Sequence, residues 1–152
     1  VENQDPAGMR LVHLLRGVSV ELTQRAAEFA AANGLHATDV RALICLLDAD
    51  RAGITATPGW LGEQLGLNSA SVTALADRLE RLGHIRRERD PADRRRVLLG
   101  VEPAAVELGW SFFGPLIGSL TGAMAGFSPA ELDTAARFLT AMREAVQRRE
   151  GS

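Results

Sequence analysis

Between Thr57 and Leu82 the chain carries two apolar helical runs separated by only three residues, Gly66-Leu67-Asn68, and this spacing narrows the fold more than any other feature. Thr57 followed by Pro58 reads as an N-cap and a first-turn proline, opening a short helix through Leu61 to Leu65. Asn68 is placed to cap the next helix, whose Val72, Leu75, Leu79 and Leu82 recur at spacings of three and four and so share one inward face. Gly83 ends that helix.

A helix, a tight glycine-containing turn and a second helix make the layout of a helix-turn-helix. A hairpin pattern comes directly after it: Ile85 to Arg89 and Arg96 to Val101 read as short strands around Asp90-Pro91-Ala92-Asp93-Arg94-Arg95. Proline, aspartate and arginine in the middle suit an exposed tip, which predicts a wing.

Helical patterns flank this centre. Leu11, Leu15, Val18, Leu22, Ala26 and Phe29 form an amphipathic stripe that ends at Asn33-Gly34. Thr38 and Asp39 offer an N-cap before Val40, Leu43, Ile44 and Leu47, while Ala42, Cys45, Leu46 and Ala49 make the opposite face apolar too, predicting a helix sandwiched between layers. After Pro103 an apolar helical stretch runs to about Ala125, weakened by Gly109, Gly114, Pro115 and Gly118. Ser128-Pro129-Ala130-Glu131 then supplies a cap, a first-turn proline and a capping-box glutamate ahead of Leu132, Ala135, Leu139, Met142 and Val146. The expected fold class is mainly α with a small β wing. A single domain is expected over 1–152, with a winged lobe at 38–101 and long helices at 8–34 and 103–150. Those long helices carry more apolar surface than so small a lobe covers, which predicts that they find an apolar partner on a second copy.

Composition excludes more than it names. All 17 basic residues are arginine, and the chain has neither lysine nor tyrosine. A phosphate-loop lysine, a Schiff-base lysine and Tyr-Lys or Ser-Lys catalytic pairs are therefore ruled out. No serine-hydrolase elbow, HExxH pair or dinucleotide loop is present, so no enzyme is expected. His13, His36 and His84 have no metal-ligand spacing, and no metal or cofactor is expected. With no apolar run of membrane-spanning length and no secretory leader pattern, the expected location is the cytoplasm. Net charge is −2, yet residues 68–100 hold eight arginines against five acids, about +3 against about −5 elsewhere. Positive charge is thus concentrated where a polyanion can meet it.

From Leu61 onward, "LGEQLGLNSASVTALADRLERLGHIRRERDPADRRRVLLGVEP" resembles the recognition helix and wing of the MarR family of transcription regulators, and the helix order resembles that family over nearly the whole chain. The resemblance rests on Val72-Thr73, Leu75, Asp77-Arg78-Leu79-Glu80, Leu82-Gly83 and the wing tip. It implies a homodimeric regulator binding double-stranded DNA at a pseudo-palindromic operator, most naturally as a repressor released by a small aromatic effector. Docked as the motif implies, Asn68, Ser69, Ala70, Ser71, Thr73 and Ala74 face base edges, with Arg78 beside them. Relatives often carry a basic residue where this chain has Ser69 or Ala74, so its specificity is expected to lean on DNA shape. In the family pattern Asp93 orients the wing tip and Arg95 matches the arginine that enters the minor groove. Arg94 accompanies it, Arg86 and Arg87 are expected near phosphates, and Arg96 flanks the tip. Trp110 and Phe113 are the candidate lining of an effector pocket. Two alternatives stay open: a protein-interaction dimer that has lost DNA binding, suggested by the net acidity, and a redox regulator acting through Cys45, although its apolar helix favours a buried structural thiol.

Overall fold

The computed structural model describes residues 6–148, so the last two positions of the helical segment expected at 103–150 lie outside the described residues. The element order is α1 (Pro6–Ala32), α2 (Ala37–Arg51), α3 (Pro58–Leu65), α4 (Ser69–Arg81), β1 (Ile85–Arg89), β2 (Val97–Val101), α5 (Pro103–Met124) and α6 (Pro129–Gln147). Two compact units divide between Leu108 and Gly109, inside α5. The mainly helical fold with a two-stranded wing is the one the apolar periodicity predicts.

In the first unit the core is built where the helical stripes converge. Phe29 and Ala30 come from the end of α1; Val40, Ala42, Leu43, Leu46 and Ala49 from α2; Leu61 and Leu65 from α3; Val72, Leu75, Ala76 and Leu79 from α4. Ile85 and Leu99 close it from the two strands. These strands pair antiparallel, with Ile85 opposite Val101 and Arg89 opposite Val97. The Leu99 amide also donates to Ala56 O at 2.9 Å, tying the wing to the segment before α3. Leu61 and Leu79 are wholly buried, so each contributes about 1.5–3 kcal/mol of apolar transfer to the lobe.

Two details differ from the sequence reading. The N-cap of α2 is His36, not Thr38 or Asp39: Asp39 sits at the third helical position, and its Oδ2 accepts from the His36 amide at 2.9 Å. The α2 face of Ala42, Leu46 and Ala49 is buried, with Cys45 half-buried, whereas on the face of Val40 and Leu43 the flanking Ile44 is exposed and Leu47 half-buried. Along α1, Leu11, Val12, Leu14, Val18 and Leu22 are exposed as well.

The second unit comprises the rest of α5 and all of α6. α5 continues through Pro115 as one helix. Ser128 caps α6 reciprocally: its Oγ accepts from the Glu131 amide at 3.2 Å, and its own amide donates to Glu131 Oε2 at 2.7 Å. That backbone hydrogen bond, with help from the hydroxyl, holds the Glu131 carboxyl below the usual range for glutamate. No described residue of this unit is buried; Phe127 is 58% and Val146 82% exposed. Helices this apolar need a partner surface.

Candidate nucleic-acid interface

The turn between α3 and α4 is set by four residues. Thr57 Oγ1 accepts from the Trp60 amide at 3.2 Å, and Asn68 Oδ1 from the Ser71 amide at 2.9 Å, so both helices start at side-chain caps. Gly66 takes φ 67°, a left-handed conformation that glycine adopts without strain, and the Leu67 amide donates back to Gly62 O at 2.9 Å. At Gly62 a Cβ would stand 3.0 Å from Leu67 O and 3.1 Å from Val72 Cγ2. The helices cross this closely because residue 62 has no side chain, a constraint the spacing pattern alone does not reveal.

With Val72, Leu75, Ala76 and Leu79 turned inward, the opposite stripe of α4 is open. Asn68, Ser69, Ala70, Ser71, Thr73 and Ala74 are all exposed. The Thr73 hydroxyl donates to Ser69 O at 2.9 Å, which leaves its oxygen lone pairs free to accept. A cavity of about 380 Å³ lies between α3 and α4 beside Ser69 and Thr73.

At the wing tip the acids organise the backbone and leave two cations outside. Asp90, only 8% exposed, accepts from the Ala92 amide at 2.9 Å and faces Arg96 Nη1 at 3.3 Å. Asp93 Oδ1 accepts from the Arg95 amide at 3.0 Å, and the Arg96 amide donates to Asp93 O at 2.9 Å. The Arg89 guanidinium donates to Arg94 O at 3.0 Å. Arg94 and Arg95 are exposed, and neither guanidinium meets a carboxylate among the described residues.

The other candidate arginines are engaged within the protein. Arg78 forks onto Asp39, with Nε 3.2 Å from Oδ2 and Nη2 on Oδ1, joining α4 to the wholly buried carboxylate of α2. The hydrogen bond to Asp39 raises the Arg78 pKa above its already high ordinary value. Arg86 Nε lies 2.7 Å from Glu88, and its Nη1 donates to Val101 O at 2.9 Å, across the face of Gly100. Arg87 reaches Asp77 at 2.6 Å. Residue pattern does not single out Arg81, yet it is exposed, has no ion-pair partner among the described residues, and lies one helical turn beyond Asp77 on the open side of α4.

Away from this face, burial chiefly pushes the Cys45 thiol above its ordinary pKa, with Arg41 opposing. That lowers the thiolate fraction a redox sensor requires. In the second unit Trp110 is 52% exposed, and Phe113 is half-buried against Phe112, edge-to-face at 5.1 Å. Among the described residues there is no cluster of histidine, cysteine and carboxylates able to hold a metal, and no helix is long and apolar enough to cross a membrane.

Comparison with known proteins agrees with this geometry. Over 104 residues, 68% of this chain, the sequence is 38% identical to the uncharacterized HTH-type transcriptional regulator YcgE of Bacillus subtilis (strain 168), and the match spans 65% of that relative's length, just under two thirds. A mutant MepR from a multidrug-resistant S. aureus clinical isolate superposes with a TM-score of 0.75 at 21% identity, covering 90% of this chain and 97% of MepR. The S. aureus MepR–DNA complex gives a TM-score of 0.59 at 22% identity, covering 90% and 99%. MepR bound to ethidium bromide gives 0.61 at 22% identity, covering 90% and 96%. These structures share the fold, and residues 33–96, from the end of α1 through the wing tip, match the sequence pattern of one family. That family is MarR, a family of winged helix-turn-helix transcription regulators, and over residues 33–96 this chain is similar to it.

Proposed function

We propose that this chain binds duplex DNA as a homodimer, laying α4 in the major groove and Arg95 of the wing in the adjacent minor groove. The strongest support is the division of labour among the arginines. Arg78, Arg86 and Arg87 are held by internal partners, while Arg94 and Arg95 project from an acid-braced tip with no carboxylate partner among the described residues. A narrow minor groove concentrates negative potential, and an unpaired guanidinium on a short hairpin matches it. The small residues Ser69, Ala70, Thr73 and Ala74 permit the close approach that base-edge contact requires. MepR, of the same fold, has been captured with DNA.

A second copy is the natural cover for the exposed apolar surfaces of α1 and of the 109–148 unit, which fall within the segments 8–34 and 103–150 read as dimerisation helices. Two symmetric lobes favour a pseudo-palindromic operator. Repression relieved by a small aromatic ligand is the mode the family suggests; MepR binds ethidium, and Trp110 and Phe113 offer aromatic surface here. Such a ligand must bind the two lobe spacings with different affinity.

Replacing Arg95 with alanine should weaken operator binding by about 1–3 kcal/mol while leaving the dimer folded. Anisotropy titrations at fixed salt measure this directly. Equal affinities for the two proteins would reject the wing assignment.

A further inference from the structure

The exposed side of α4 carries a liability for a DNA-binding helix. Its two carboxylates, Asp77 and Glu80, are both largely solvent-accessible, and Asp77 lies one turn from Thr73 and Ala74 on the stripe that would face bases. Glu80 is three residues farther along the same side. Phosphates approaching this helix would meet two like charges. Both are addressed by one cation from another element: Arg87 of β1 places Nη2 2.6 Å from Asp77 Oδ1 and Nη1 3.7 Å from Glu80 Oε1. Its side chain is 29% exposed, less than either acid, so the guanidinium sits inward of the carboxylates.

We propose that Arg87 is a positioning residue that screens Asp77 and Glu80 from the phosphates of bound DNA and is not itself a phosphate contact. This role rests on the DNA-binding reading above and deepens it. A guanidinium hydrogen-bonded to Asp77 and within ion-pair distance of Glu80 leaves little of its charge for a third anion. Arg78 cannot take over the task, because Asp39 of α2 already holds its guanidinium. Arg81 directly follows Glu80 and is left as the cation of α4 without an acid partner among the described residues.

The test is a four-protein comparison on a labelled mixed-sequence duplex at low salt: wild type, Arg87→Gln, Asp77→Asn with Glu80→Gln, and the triple variant. Baring two carboxylates near phosphates should weaken Arg87→Gln by about ten-fold, at about three-fold for each charge. Removing the acids as well should return the triple variant to within about two-fold of wild type, because no charge is left to screen. The Asp77→Asn, Glu80→Gln protein should bind at least as tightly as wild type. A triple variant as weak as Arg87→Gln would overturn the proposal, since a direct phosphate contact or a purely structural strut is not restored by deleting its partners. An unaffected Arg87→Gln would overturn it too. If wild type itself fails to bind the duplex, the DNA-binding reading falls and takes this one with it. Exposed pairs contribute little to folding, so all four proteins should remain folded, and thermal unfolding checks that they do.

Discussion

Raising the salt from about 50 to about 200 mM is expected to weaken duplex binding by about ten-thousand-fold, if a dimer neutralises about eight phosphates. Each neutralised phosphate releases condensed counterions, and salt opposes that release. Four cations per protomer meet the requirement: Arg81, Arg94 and Arg95, which have no acid partner among the described residues, and the half-exposed Arg96, whose pair with Asp90 is long at 3.3 Å. Because the chain's net charge is −2, general attraction to a polyanion does not account for so steep a response; it requires the arginines to be gathered on one face. Titrations across a salt series measure the slope. A nearly flat response would contradict the interface.

Replacing Arg78 with alanine should lower the unfolding free energy by about 3–5 kcal/mol, the range found when one partner of a buried pair is removed. Asp39 is 0% exposed, and Arg78 supplies two of the three donors it accepts, the third being the His36 amide. Without Arg78, a carboxylate in the core of the lobe keeps one backbone donor. Arg78 is itself 31% exposed, so the reverse change, Asp39→Ala, should cost less, because solvent reaches the orphaned guanidinium. Urea unfolding with an unchanged m-value reads both. A loss below about 1 kcal/mol for Arg78→Ala would show the pair to be no more than a surface contact.

The same pair marks where reading from sequence stops. Local signals are legible: the caps at Thr57, Asn68 and Ser128 form as expected, and the strands fall within one residue of their predicted bounds. Each depends on residues a few positions apart, within reach of pattern. Asp39 and Arg78 are 39 positions apart, and nothing in either neighbourhood announces the other. Asp39 reads as a cap because a Thr-Asp pair before an apolar run is a strong local signal; the fold instead uses its carboxylate at the third helical position and across to α4. Likewise Arg86 and Arg87 read as phosphate neighbours from charge alone, whereas in the fold the Arg86 side chain donates to Val101 O and Arg87 reaches across to Asp77 of α4. Among the arginines, sequence reveals how many there are, while the packing determines which remain available to a ligand.

Everything proposed for the DNA-binding surface requires two lobes to present it together to one duplex. Selecting bound sequences from a random duplex library with the wild-type protein probes that requirement without any mutation. An inverted-repeat consensus is expected, its half-sites centred about 34 Å apart, one helical turn. Enrichment of no motif, or of a single unpaired half-site, would contradict it.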